Sequence, residues 1–284
     1  MAIFLAYDGS VNGDWIARYA VNFAAHEGGG LTVLHVETAE ISSAALADKL
    51  ENIERVAGLA SVPVDVRILP MRDGIHGGLL ECLPEGNATV VVCGVRARAS
   101  RQGFLRRTIS EQLLNDQRFM TVALRVVQPG LLGSVQRLLM PVAGHRPGIR
   151  GARRLLGLLA PFLRDLHLLH VVAVGALKFR RLSVEQAGQL RHDAQLYLDK
   201  VEQELASALP EEPIRLDALA RVSDDWVREI LLEAGRFRAD LVAMGAPRAS
   251  VGHGTGFGDP LEIIFRDTPC DVAIFRGPDR LGKD

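Results

Sequence analysis

Two stretches of this sequence carry the same pattern 151 residues apart. The first, residues 89–127, reads TVVVCGVRARASRQGFLRRTISEQLLNDQRFMTVALRVV; the second, residues 239–275, reads ADLVAMGAPRASVGHGTGFGDPLEIIFRDTPCDVAIF. Each has an apolar run of strand length ending in glycine, an open loop, a helix start and a second apolar run. Gly245, Asp259 and Glu262 follow Gly94, Thr108 and Glu111 by the same 151 residues. A duplication of this length predicts two domains, 1–128 and 135–278, rather than one. Each half is long enough to bury its own core.

The elements follow from periodicity. Ile3–Tyr7 is a continuous apolar run of the kind a strand buried on both faces shows, ended by Asp8-Gly9-Ser10. A helix is expected over 14–25, with Trp15, Tyr19 and Phe23 on one face, then a strand over 31–36, a helix over 43–57 and a strand over 64–69. A short helix over 75–83, a strand over 90–93, a helix over 108–115 and a strand over 122–127 complete the half. Strands alternating with helices argue a parallel sheet covered on both faces. After the Pro/Gly linker Gln128–Ser134 the order restarts with a strand over 137–142 and another over 166–172. Leu169-His170-Val171 follow Leu34-His35-Val36 by 135 residues, so 16 residues are inserted between the second and fourth strands of the second half. They lengthen a helix expected over 183–208, ahead of a strand over 214–219, a helix over 224–234 and a strand over 241–244.

Charge and composition exclude some roles. A formal net charge of −1 with 48% apolar residues gives no chain-wide basic bias toward nucleic acid or membrane, and neither is expected as a partner. The start, MAIFLAYDGS, lacks the basic region of a secretory signal. The apolar stretch Leu155–Leu177 is broken by Arg164, Asp165, His167 and His170, short of the ~20 apolar residues a membrane span needs. Cys82, Cys93 and Cys270 have no CxxC spacing, which suits reduced thiols and a cytoplasmic location.

With DGS after the first strand, LHV in the second and a glycine-bearing junction after the fourth, both halves resemble the universal stress protein family in its tandem form. ADLVAMG and DTPCDVAIF carry the likeness furthest. The resemblance implies two α/β domains, each a five-stranded parallel sheet in the order 3-2-1-4-5, with nucleotide in the crevice where the order reverses. It also implies that the last strand of each half pairs halves or subunits edge to edge, giving a pseudo-dimer and room for a homodimer. Nucleotide-binding members carry Gly-x-x-Gly, nine residues, then Gly-Ser or Gly-Thr. Here the same spacing reads Gly94, Ala97, then Arg107-Thr108 in the first half, and Gly245, Arg248, then Gly258-Asp259 in the second.

By that resemblance, the acid after the first strand (Asp8, with Gly9) and the end of the second strand (Val36) would hold adenine and ribose. The glycine loop and its hydroxyl (Gly94, Ala97, Arg107, Thr108) would hold the phosphates of ATP, with or without Mg2+. The second half offers Gly245 and Gly258 but Ala143 in place of the acid and Asp259 in place of the hydroxyl. A carboxylate beside a phosphate about 4 Å away costs about 1 kcal/mol in water and several-fold more in a partly dry cleft, so the first half is preferred. Arg107 instead brings a cation to the phosphate position. The implied function is a cytoplasmic stress-response regulator that binds an adenine nucleotide; the alternative is a nucleotide-free tandem scaffold with degenerate loops.

Other candidates weigh less. Arg96, Arg98, Arg101, Arg106 and Arg107 could clamp a triphosphate or be a solvated loop. The run Gly252–Gly258 fits neither GxGxxG nor GxxxxGK[ST], though its N–H groups could form an anion nest. On a strand, His167 and His170 point to opposite faces and cannot share a metal, so no metal site is expected. No GxSxG pentapeptide is present and no general base is marked, so the sequence names no catalytic residue, and at most slow ATP hydrolysis is expected.

Overall fold

The computed structural model describes the chain except residues 72, 96–107, 144–145, 207–208, 210–213, 247–258 and 279–284; of 146–148 and 259 it describes the backbone alone. The first half runs β1 (Ala2–Ala6), α1 (Val11–His26), β2 (Leu31–Val36), α2 (Ser43–Leu59), β3 (Val64–Leu69), α3 (Gly74–Cys82), β4 (Thr89–Gly94), α4 (Ile109–Asp116) and β5 (Met120–Arg125). The second runs β6 (Arg137–Pro141), α5 (Arg146–Leu159), β7 (Asp165–Ala173), α6 (Ala176–Phe179), α7 (Val184–Ala206), β8 (Arg215–Ser223), α8 (Trp226–Phe237), β9 (Leu241–Gly245), α9 (Asp259–Asp267) and β10 (Asp271–Arg276). Two compact units result, Met1–Ser134 with the chain from Ile274 on, and Val135–Ala273.

The first half has the strand order β3-β2-β1-β4-β5, and the second repeats it as β8-β7-β6-β9-β10. β1 lies parallel between β2 and β4, with Ala6 opposite Leu34 on one side and Cys93 on the other. The central strands are buried because their residues are apolar without alternation: Val90, Val91 and Val92 have no exposed surface, nor do Leu138, Leu139 and Val242. The edge strand β3 instead alternates, with Asp65, Arg67 and Ile68 exposed.

Local chemistry fixes the helix starts. Ser10 caps α1 by accepting from Gly13 N, Ser42 caps α2 through Ala45 N, and Asp225 caps α8 through Arg228 N. Tyr19 and Phe23 of α1 are 1% exposed and meet edge to face at 6.3 Å, while Trp15 of the same face is half-buried.

The linker and the start of the second half differ from the expectations. The linker is anchored: Pro129–Leu131 forms a 3-10 turn, and Asn22 Nδ2 on α1 donates to Leu132 O at 3.1 Å. Gly133 sits at φ +77°, and a Cβ there would lie 2.9 Å from Tyr19 N, so the close approach requires glycine. The linker therefore belongs with the first unit. The apolar stretch Leu155–Leu177 is divided, in keeping with the strand expected over 166–172, among the end of α5, a turn, β7 and α6. The helix α5 itself was not expected. It buries Leu155, Leu156, Leu158 and Leu159 and carries Arg150 exposed.

Candidate functional site

In the first half, the turn after β1 is built by its own side chains. Asp8 Oδ1 accepts from Ser10 N at 2.9 Å, and Ser10 Oγ accepts from Gly13 N at 3.0 Å, so acid and helix cap form one stitched loop. Gly9 adopts φ +73°, and Ile41 of the β2–α2 connection packs over it so closely that a Cβ would meet Ile41 Cδ1 at 2.8 Å. Gly13 is equally constrained: a Cβ there would lie 2.6 Å from Asp8 Oδ1. A small residue at 13 is what lets the start of α1 approach the carboxylate.

The ladder between β1 and β2 ends with Tyr7 N donating to Leu34 O at 2.9 Å; Asp8 is the next residue of the chain, and Val36 is the buried last residue of β2. On the other side Gly94 ends β4, where a Cβ would press on Ile16 Cδ1 at 3.0 Å and approach Asn12 Nδ2 at 3.4 Å. Cys93 lies beneath. Burial, and secondarily the Asp8 charge, push its thiol up to about 12. Tyr7 donates its hydroxyl to Asp14, which also pairs with Lys49 of α2. Burial first, then the Asp14 hydrogen bond, raise the Tyr7 phenol above its ordinary range.

Thr108 caps α4. Its Oγ1 accepts from Glu111 N at 3.2 Å and shares a hydrogen bond with Ser110 Oγ at 3.0 Å, and all three residues are buried. The hydroxyl expected to meet phosphate thus already holds the helix start, at the positive end of the helix dipole. Ala97, Arg107 and the other arginines of that loop lie outside the described residues, as do Arg248, Gly258 and the glycine run 252–258.

The second half is furnished differently. Gly245 ends β9, matching Gly94, but Ala143 stands in the place of the acid. Tyr197 of α7 donates its hydroxyl to Ala143 O at 3.2 Å and meets the His170 ring at 5.1 Å, tilted by 58°. Asp259, which matches Thr108 in the repeat, is the first helical residue of α9, whereas Thr108 is the residue before α4. One feature is kept in both halves: His35 Nδ1 lies 2.9 Å from Tyr7 O, and His170 Nδ1 lies 2.7 Å from Val142 O. A carbonyl only accepts, so in each case Nδ1 carries the proton and braces the end of the first strand. His167 faces the other way, toward α8. It is 4% exposed, between Asp217 (3.0 Å) and Glu233 (3.5 Å), and stacks on Phe237 at 5.0 Å. Among the described residues no group of three His, Cys, Asp or Glu could hold a metal ion, and no helix is long and apolar enough to cross a membrane.

Sequence reasoning missed Gly13, Ile41 and Tyr197 as shapers of these crevices. Gly13 had a usable signal, a glycine in the first helical turn three residues after a capping serine. Ile41 and Tyr197 had none, since each arrives from an element distant in sequence.

The universal stress protein family model matches residues 134–276. No curated protein matches the chain by sequence. Among solved structures, a universal stress protein from Archaeoglobus fulgidus is 16% identical, with 95% of this chain and 97% of that one covered and a TM-score of 0.61. A protein of unknown function from Pseudomonas aeruginosa is 15% identical over 97% and 92%, also at 0.61. The cytoplasmic domain of a prokaryotic cation chloride cotransporter is 11% identical over 98% and 96%, at 0.61. Identities this low establish the fold. The family match spans half of the chain, and with the duplicated fold it places this protein in the universal stress protein family.

Proposed function

We propose that the first half binds an adenine nucleotide, ATP with magnesium, and that the chain acts as a cytoplasmic stress-response regulator whose occupancy alters its choice of partner. One observation supports this reading above the rest. Asp8, Val36 and Gly94 sit at the carboxyl ends of three adjacent parallel strands, at the point where the strand order reverses. The N-terminus of α4, capped by Thr108, supplies a positive dipole end for phosphate, as anion sites at helix starts do. A phosphate there would share the Thr108 hydroxyl with Ser110 rather than find it idle. Arg107 would add a cation.

The second half reads as a nucleotide-free scaffold. Its crevice has no acid after β6, and Tyr197 hydrogen-bonds the backbone at that point. Thermal-shift titration with ATP and magnesium separates the two readings. Ligand at 100 times its dissociation constant stabilises a protein by about 2.7 kcal/mol. A flat response in the intact chain would leave both halves as scaffold.

A further inference from the structure

The connection from β7 to α7 is where the second half departs from the first. Ten residues, 174–183, stand where the first half has six, 37–42. The shorter connection is acidic, with Glu37 and Glu40; the longer carries Lys178, Arg180 and Arg181 and no acidic residue. Val174 is buried and donates its N–H to Ser223 O at 2.9 Å, which fixes the stem to the sheet. Beyond it, Phe179 N bonds Gly175 O, Arg180 N bonds Ala176 O and Arg181 N bonds Lys178 O, so the backbone is satisfied within the turn.

The side chains that leave this turn are apolar and cationic in alternation. Leu177 is 75% exposed, Phe179 36% and Val184 91%. Lys178, Arg180 and Arg181 are exposed too, and none of them forms an ion pair with a described residue. Large apolar groups left in water beside unneutralised cations mark a contact surface. A protein partner would need roughly 800 Å² of complementary surface, more than a one-turn helix offers. A bilayer needs no matching shape: apolar side chains enter the headgroup layer while cations meet lipid phosphates at its level.

Although the charge of the whole chain gave no expectation of a membrane partner, we propose that this turn and the start of α7 dock the second half onto an anionic membrane surface, with Leu177, Phe179 and Val184 inserted and Lys178, Arg180 and Arg181 on the phosphates. The inference is independent of nucleotide binding. Each cation near such a surface contributes roughly fivefold in partition. Co-sedimentation of the full chain with phosphatidylcholine vesicles, with and without about 30% phosphatidylglycerol, tests it. The chain should pellet with the anionic vesicles alone and be released at high salt. Arg180→Glu with Arg181→Glu, and separately Leu177→Ser with Phe179→Ser, should each weaken partition by at least about fivefold with thermal midpoints unchanged. The proposal is overturned if the wild-type chain stays in the supernatant, or if both double variants bind as it does. Retention on immobilised polyglutamate without vesicle binding would overturn it in favour of an acidic protein partner.

Discussion

At the scale of single residues, the candidate site is held by groups with two duties each. Thr108 is both the proposed phosphate contact and the cap of α4 through Glu111 N. Thr108→Ala should therefore lower stability by about 1 kcal/mol whether or not nucleotide is present, while Thr108→Ser should restore both stability and binding; urea denaturation of the free chain checks this. The buried thiols set a pH limit. Burial pushes Cys93 and Cys270 up to about 12 from an ordinary value of 9.0. Both native thiols thus stay protonated where the unfolded ones ionise. Their contribution is fully present below about pH 9 and is lost as pH rises from there to about 12, by about 1.4 kcal/mol per pH unit and thiol. Denaturant midpoints measured under reducing conditions should fall across that window, and Cys93→Val should flatten the slope. At this scale the sequence was legible where the chain is local: Asp8-Gly9-Ser10 and Thr108 to Glu111 each act within three residues. Ile41 over Gly9 and Tyr197 on Ala143 were not legible, because the sheet alone brings them together.

Among the elements, the strands were readable and some boundaries were not. Val90–Cys93 is apolar without interruption, and its short length and β-branched valines suit a buried parallel strand. The added length of α7, 23 residues against 17 in α2, agrees with the helix expected over 183–208, whereas the turn α6 was not expected, since nothing in the first half corresponds to it. Asp240 shows how strand starts are fixed. It is 5% exposed, and its carboxylate accepts from Gln136 N at 3.0 Å, Arg137 N at 2.8 Å and the Arg137 guanidinium at 3.1 Å. Asp240→Ala would leave two backbone N–H groups without their acceptor and should cost about 3 kcal/mol, against a smaller loss for Asp240→Asn, whose amide oxygen still accepts. Chemical denaturation of the two variants measures the difference; equal stabilities would mean that β6 and β9 are held in register without it.

Across the whole molecule, one fold was duplicated and its two crevices diverged. The net charge of −1 does not register that divergence, which is local: one connection carries Glu37 and Glu40, the other Lys178, Arg180 and Arg181. The first half keeps an acid, a tight turn and a capped helix start at the switch point, whereas the second has a tyrosine hydroxyl on the backbone there. If that asymmetry governs function, the two halves must differ in what they bind. Isothermal titration of the full chain with ATP and magnesium, repeated with Asp8→Ala and with Tyr197→Phe, is the direct measurement. The account predicts one nucleotide per chain, lost in Asp8→Ala and kept in Tyr197→Phe. Two nucleotides per chain, or one that survives Asp8→Ala and disappears in Gly258→Asp, would contradict it.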